Sequence, residues 1–479
     1  FPAVVGAVEN EQSELSELAV ARSFLSNDAI SGGENVDDID DIASDKVINN
    51  ELNSCFLDMV ETLAKQAPKT ILQVKLLVKE LQRINLLWDE LCLGTLVQHH
   101  SDFTKRLAQL ESEITKVKNN ANLSSEEKEQ LIKEKHRILF EPIVYVLEQL
   151  QQVTSAKPET PHEVSFQNKF QSLIVDVIDK LKNPANPEKP QESWAPLKQL
   201  QIKLQQKVNK RTSYILKMSD ISPVLAELKN TVITMPGLHT NQRTVRVTIK
   251  SVENNVAILP TKTRPKKLVF YGSDGKAYTY LFKGMEDLHL DERIMQLLSI
   301  TNTMMARDSE NNDNQTYRAR HYSVIPLGPR SGLISWVDNV TPLFALYKRW
   351  QNREATILSA KTNKTVNVLR PSELFYNKLN PLLKEAGIST ENRKEWPVSI
   401  LKQVLQELQE ETPKDLLWRE LWCGSVTPEQ WWQMTRRYSY SVAVMSTIGY
   451  IIGLGDRHLD NVLVDLTSGE VVHIDYNVC

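Results

Sequence analysis

Residues 453–463 read GLGDRHLDNVL, from Gly453 to Leu463. The run before them, VAVMSTIGYIIGLG (Val442–Gly455), is apolar enough for a buried helix. It is short for a bilayer span and carries Ser, Thr and Tyr. Gly453 and Gly455 permit a sharp exit from that helix. Asp456 and His458 then fall on an exposed turn, and Asn461 opens an apolar strand, VLV. A second strand-like run, VVHID, ends at Asp475, and DLTSGE makes the turn between the two runs. Both strand ends therefore return to one locality. The tetrapeptide Gly-Asp-Arg-His alone reads better as a helix-exit turn with a capping Asp, and Asp475 alone reads better as a solvated strand end. Their occurrence together with Asn461, flanking a hairpin after a long helix, is what gives the stretch chemical meaning.

Composition sets the frame around it. The chain has 479 residues, room for about three domains. Apolar residues are 41% and charged residues 24%, with a formal net charge of −3. No global basic field asks for nucleic acid or an anionic membrane. Cys55, Cys92, Cys423 and Cys479 lie far apart without CxxC or Cys/His pairing. That pattern is neither a disulfide framework nor a zinc site, and it suits a reducing compartment. The chain begins at Phe1 without a signal-like segment, and the reading is of a piece of a longer protein.

Upstream, residues 26–45 are polar and acidic, which favours a solvated linker over a docking tail. A helical pattern runs from Lys46 to about Val153. Leu72, Leu76, Leu77, Leu81, Ile84 and Trp88 recur at spacings of three and four, predicting one buried face. Leu107, Leu110, Ile114 and Val117 continue in the same style. Ser125 stands ahead of an acidic first turn, and Pro142 is expected to bend or restart that helix. Proline-rich breaks at 156–163 and 183–196 separate amphipathic runs at Phe166–Leu181 and Leu197–Leu216, which together predict an antiparallel helical bundle. After Pro236 the runs TVRVTIKSV, VAILPT, KKLVFYG and AYTYLFKG are short and β-branched, with Gly-Ser-Asp-Gly as a hairpin signal. A helix is predicted at Asp291–Ile300, a polar loop at 307–315, another strand at YSVIPL, and helices from Pro342 to a long one at Pro428–Ile452. A β-rich lobe followed by a helical lobe is the expected order.

Phosphoryl transfer from ATP requires carboxylate and amide oxygens for a divalent metal, a group at the attacking hydroxyl, and a cation on the phosphates. Asn461 and Asp475 have the chemistry for the metal. Asp456 suits the hydroxyl, and His458 either shares that task or stabilises developing charge. Lys283 ends the strand AYTYLFKG, with acids following at Glu286 and Asp291. The segment LPTKTRPKKL (259–268) offers hydroxyls, backbone N–H groups and Lys262 for phosphates, although it lacks GxGxxG and also reads as a plain basic hairpin. GLISWVDN (332–339) joins the two lobes, with Trp336 either a core aromatic or a stacking surface for adenine.

The segments GDRHLDN and HIDYN, with LFKGMEDLHLDERIMQ and RPKKL, resemble the phosphatidylinositol-3-kinase-related protein kinases. In that family the catalytic loop runs Asp-Arg-His rather than His-Arg-Asp. LLWDELCLG and TSYILKMSDISP resemble the family's rapamycin-binding-type bundle, and the likeness covers roughly residues 70–479. It implies an α+β, bilobal kinase-like domain behind a helical bundle. The expected segments are an acidic loop and the end of a helical-repeat array (1–83), the bundle (84–222), a kinase N-lobe (223–336) and the start of a C-lobe (337–479).

The resemblance further implies a Ser/Thr protein kinase using ATP with Mg²⁺ or Mn²⁺ and acting on Ser or Thr followed by Gln. It points to the branch at work in nonsense-mediated messenger-RNA decay. The chief substrate would be the up-frameshift RNA helicase, with two companion regulatory subunits, in the cytoplasm and the nucleus as well. Lys283 would bind phosphate and Asp291 would pair with or orient it. Leu259, Leu281, Tyr322, Ile334, Trp336, Val337, Leu463 and Ile474 would line the adenine pocket, with Thr261 and Thr263 at phosphate-facing positions. Asp456 and His458 would act on the substrate hydroxyl, and Asn461 and Asp475 would hold the metal. Three departures stand out: Tyr476-Asn477 replaces the usual Phe-Gly, the bundle lacks the aromatic cluster that binds rapamycin, and the activation loop is not within the sequence. A phosphoinositide lipid kinase and a non-catalytic scaffold are the alternatives, and retention of Lys283, Asp456, Asn461 and Asp475 speaks against the scaffold.

Overall fold

Side-chain caps at Ser124 and Thr160 begin two of the helices in the first half of the chain. A computed structural model describes residues 55, 57–209, 215–238, 246–261, 263–308, 317–362 and 367–478. The acidic stretch 26–45, the helical start at Lys46, Lys262, and residues 309–316 of the polar segment lie outside them. Helices α1 (Pro68–Asn85), α2 (Trp88–Gln98), α3 (His100–Asn119), α4 (Ser125–Thr154), α5 (Pro161–Phe166), α6 (Ser172–Lys182) and α7 (Pro190–Asn209) follow in order. The cap of α4 is Ser124, one residue before the Ser expected from sequence: it accepts from the Glu127 amide while Glu127 accepts from the Ser124 N–H. Pro142 sits inside α4, which continues through it without restarting. A single π-helical turn, Gln167–Gln171, joins α5 to α6.

These helices bury two distinct cores. Phe140, Ile143, Leu147, Phe166 and Ile174 belong to the bundle core, with Leu107, Leu110, Ile114 and Val117 as expected. Helix α1 instead shares its core with the β-sheet, through Val74, Leu77, Val78, Leu81 and Ile84 packed with Leu268, Phe270, Tyr280 and Phe282. Its buried stripe includes Ile71 and Val74, while Leu72 is 68% exposed and Leu76 38%. Both stripes are apolar at helical spacing, and only the packing partner selects one of them. The amphipathic run expected to reach Leu216 also breaks: α7 ends at Asn209. Ile215–Lys217 is strand β1, pairing with β3 (Asn255–Ile258).

The sheet places strands in the order β1-β3-β4-β5-β7-β6, with β2 (Ile249–Val252) paired to β4 off that path. Strand β4 (Lys266–Gly272) runs antiparallel to β5 (Ala277–Gly284) through a turn in which Gly275 has φ +80°. β5 then pairs with β7 (Ser331–Ser335), which pairs with the edge strand β6 (Val324–Gly328). Helix α8 (His289–Asp308) lies between β5 and β6 in sequence and is longer than the segment predicted at 291–300.

Residues 1–289 with 323–336 form one unit, and residues 290–322 with 337–479 form a second. The second holds most of α8, strand β8 (Val340–Pro342), and helices α9 (Leu343–Thr362), α10 (Pro371–Glu385), α11 (Val398–Glu411), α12 (Leu416–Cys423) and α13 (Pro428–Ile451). Its strands are β9 (Leu454–Gly455), β10 (Val462–Asp465), β11 (Val471–His473) and β12 (Asn477–Val478). β10 is flanked by β11 and β8, and β9 pairs with β12. No helix among the described residues is long and apolar enough to cross a membrane.

Candidate active site

The exit from α13 is made by two left-handed residues, Gly453 at φ +64° and Asp456 at φ +52°. Gly455, expected to share that task, pairs instead with Asn477 across β9 and β12. Asp475 also lies in the left-handed region, at φ +50°. Asp is among the few non-glycine residues that visit this region readily, and such residues cluster at functional sites. Both carboxylates are exposed.

Arg457, between the two expected catalytic residues, holds the loop together. Its Nε donates to the Gly455 carbonyl at 2.8 Å, and Nη1 donates to the carbonyls of Ile474 at 2.9 Å and Asn461 at 3.4 Å. Nη2 donates to the Asp475 carbonyl, and the guanidinium lies over the Tyr476 ring, 5.6 Å from its centroid. One planar fork thereby ties the residue before Asp456 to the end of the strand that presents Asp475. Sequence reasoning passed over Arg457 because its partners are main-chain oxygens, which no motif spells out.

Asn461 is buried, and its Nδ2 donates to the Asp456 carbonyl at 3.1 Å, leaving Oδ1 as an acceptor. The Asn461 carbonyl also receives the Ile474 N–H at 3.1 Å, fastening the start of β10 to the end of β11. His458 is exposed, and its Nδ1 accepts from the Asp460 N–H at 3.2 Å. A ring nitrogen that accepts from a backbone N–H carries no proton, so neutral His458 has its proton on Nε2.

The surrounding groups fix this geometry. The Val471 N–H donates to Ser441 Oγ on α13 at 3.0 Å. Asp465 accepts from the Thr467 and Ser468 N–H groups, closing the turn before β11. Burial pushes the Asp465 carboxyl up, but those bonds and Arg320 outweigh it and hold it below its ordinary range. Burial, followed by the charge of Arg457, lowers His473 to about 4. At Gly469, φ +85°, an added Cβ would stand 2.2 Å from the Met434 carbonyl.

The Tyr476 N–H donates to Asp291 Oδ1 at 3.5 Å, which brings the first-turn acid of α8 to the metal-strand end. Tyr476 itself is buried, and its hydroxyl has no hydrogen-bond partner among the described residues. Tyr322 lies close by: burial first, then Tyr476, Asp291 and Asp475, hold its hydroxyl well above the ordinary value. Leu463 is buried on β10 opposite Val472, and Ile474 is half-buried beyond β11. Val337, half-buried, precedes β8.

The first unit places Leu281, Lys283 and Ile334 on one sheet face. Directly paired residues of antiparallel strands share a face. Lys267 pairs with Leu281, Leu281 with Ile334, and Lys283 with Gly332. The opposite face carries Leu268, Tyr280, Phe282 and Leu333 into the core with α1. The Trp336 N–H donates to the Thr279 carbonyl at 2.9 Å, extending the β7 side of this face. Lys283 Nζ meets Glu286, one of the two acids that follow it in sequence, at 3.1 Å. Leu259 donates its N–H to Pro265, and exposed Thr261 and Thr263 lie on the connection between β3 and β4.

The donor set fits a divalent cation. Asn461 Oδ1 and the exposed Asp475 carboxylate are hard oxygen ligands. Among the described residues no cluster of three or more His, Cys, Asp or Glu side chains forms a metal cage. A Mg²⁺-like ion held by one or two protein oxygens plus phosphates has no need of one.

A strand-borne lysine on a sheet, a loop with Asp, His and Asn, and a metal-type Asp after a short hairpin define the kinase-like class. The family described as phosphatidylinositol 3- and 4-kinase matches residues 277–479. "Serine/threonine-protein kinase SMG1" of Danio rerio is 51% identical over 436 residues, covering 89% of this chain and 12% of that protein. "Serine/threonine-protein kinase Smg1" of Drosophila melanogaster is 45% identical over 487 residues, covering 100% of this chain and 14% of that protein. "Serine/threonine-protein kinase smg-1" of Caenorhabditis briggsae is 41% identical, covering 90% and 19%. A solved structure titled "Complete CtTel1 dimer with C2 symmetry" superposes with a TM-score of 0.43 at 16% identity, covering 81% of this chain and 17% of that one. The chain spans between 12% and 19% of the length of the three curated relatives named here. It belongs to the phosphatidylinositol-3-kinase-related protein kinase family.

Proposed function

We propose that the chain is part of a Ser/Thr protein kinase that moves the γ-phosphoryl group of ATP to Ser or Thr followed by Gln. Its chief substrate is the up-frameshift RNA helicase, in nonsense-mediated messenger-RNA decay. The observation that carries the reading is the Arg457 fork, which ties Asp456, Asn461 and Asp475 into one loop. The similarity to relatives named Ser/Thr kinases supports it. Companion regulatory subunits and a cytoplasmic place, with a nuclear one as well, belong to the same proposal.

In this reading Asn461 and Asp475 hold Mg²⁺ or Mn²⁺, which when bound neutralises charge on the phosphates. Lys283 binds phosphate oxygen, and Glu286 and Asp291 are the acids that orient it. Leu281, Ile334 and Trp336 present an apolar surface suited to the base, and Leu259, Tyr322, Val337, Leu463 and Ile474 are the further residues this reading assigns to it. Thr261 and Thr263 offer hydroxyls to the phosphates. Asp456 takes the substrate hydroxyl proton: it is an exposed carboxylate, whereas neutral His458 has Nδ1 engaged by Asp460 and Nε2 already protonated. His458 Nε2–H is then a donor that stabilises negative charge developing on the transferred group.

A lipid substrate is the second reading, favoured by the name of the matching family. The full-length parent protein, given ATP and a divalent metal, is expected to phosphorylate a Ser-Gln peptide and not its Ser-Ala counterpart or phosphatidylinositol vesicles. Asp475→Asn should abolish turnover while leaving thermal stability unchanged. Label entering the lipid, or an active Asp475→Asn protein, would sink the respective assignment.

A further inference from the structure

Lys267 belongs to the sheet face just described, yet the site as described gives its side chain no role. It stands in a row with Ala257, Leu281 and Ile334 across four strands, half-buried. Its neighbour Lys266 faces the other way and is buried against Glu90 at 2.9 Å and the Asn85 carbonyl at 3.1 Å. Lys266 is thus structural, and the paired lysines of RPKKL have separate tasks. The Lys267 ammonium stands 4.2 Å from the centroid of the Trp336 indole. Among the described residues no carboxylate pairs with it.

A half-buried ammonium without a counter-ion loses hydration, and the negative face of an indole offsets part of that loss. The contact also restrains the indole, whose backbone is already fixed by the Thr279 carbonyl but whose side-chain torsions are not. An indole held from one face offers the other face for stacking in a single orientation, which lowers the entropy lost when a ring binds there.

We propose that Lys267 is a positioning residue for nucleotide binding, holding Trp336 so that its opposite face receives the purine ring. This deepens the kinase reading and rests on Trp336 being the base-stacking residue. The role is one of affinity: the ammonium acts through the indole, so its loss raises the KM for ATP and spares the transfer step.

The test uses the full-length parent protein with Lys267→Met, Lys267→Arg, Trp336→Leu and the Lys267→Met/Trp336→Leu pair. Steady-state kinetics give KM and kcat, and a fluorescent ATP analogue gives nucleotide affinity independently of turnover. Lys267→Met should raise the KM and weaken analogue binding by about three- to tenfold, with kcat within about twofold. Lys267→Arg, which keeps a cation over the ring, should restore both. In the Trp336→Leu background, Lys267→Met should add nothing. An equal loss with and without Trp336, or a fall in kcat at unchanged KM, overturns the inference. Normal analogue binding and its dependence on Trp336, without phosphotransfer to any protein substrate, would defeat the kinase reading while leaving this one standing. Absence of nucleotide binding in the unaltered protein would defeat both.

Discussion

The sheet face of the first unit and the loop of the second solve the same problem by opposite means. Leu281, Lys283 and Ile334 are placed by uninterrupted antiparallel ladders, in which six successive registers join β4 to β5 and five join β5 to β7. Position there is shared among many main-chain bonds, and no single side chain is essential to it. Asp456, Asn461 and Asp475 sit where the ladder is short: β9 and β12 share two registers, and β10 and β11 three. Their placement depends on side chains, chiefly the Arg457 guanidinium, with Ser441 and Asp465 behind it. Redundancy protects a sheet, whereas a loop concentrates its order in a few groups.

The contrast breaks first at Arg457. Arg457→Ala should lower kcat of the parent protein by about a hundredfold, the cost of displacing a catalytic group by roughly 1 Å, with the KM for ATP little changed. Arg457→Lys should not rescue it, because a point-like ammonium cannot serve four carbonyls at once. Activity retained in both variants would mean that the short ladders alone hold the loop.

Gly469 probes the turn behind the loop. Gly469→Ala places a methyl group against the Met434 carbonyl at a positive φ, and should destabilise the second unit by about 1–3 kcal/mol in a denaturation curve. An unchanged midpoint would show that α13 yields at that point.

The smallest effect is that of acid. His473 is lowered from 6.5 to about 4 by burial and then Arg457. Between those values the unfolded chain binds a proton that the folded chain refuses, so stability falls as pH drops from 6.5 towards 4. The loss should be on the order of 1–2 kcal/mol, read as a falling thermal midpoint that His473→Gln flattens. A pH-independent midpoint would place His473 in contact with solvent.

Legibility from sequence followed the same division. The hairpins, the long helix Pro428–Ile451 and the opening loop were readable because each carries its own periodicity and turn residues. Asn461 and Asp475 stand out by residue type, and the structure sets Asn461 immediately before β10 and Asp475 two residues after β11. The buried stripe of α1 was legible at Leu77, Leu81 and Ile84 but not in its first turns, since Leu72 and Leu76 are as apolar as Ile71 and Val74 and the choice belongs to the sheet beneath. Strand β1 escaped because Ile215 and Leu216 fit a helical stripe equally well, and pairing with β3 decided otherwise. Arg457 and Lys267 escaped for a related reason: a carbonyl cluster and an indole face are created by folding.

The two left-handed aspartates bear on how substitutions at this site are to be interpreted. Asp456 and Asp475 hold φ values near +50°, where alanine is disfavoured and asparagine is at ease. An alanine variant at either position changes two things at once, the carboxylate and the path of the chain. A lost activity would then report on geometry as much as on chemistry. Asparagine removes the charge and keeps the turn, so the difference between the Asn and Ala variants at one position measures what the backbone alone contributes.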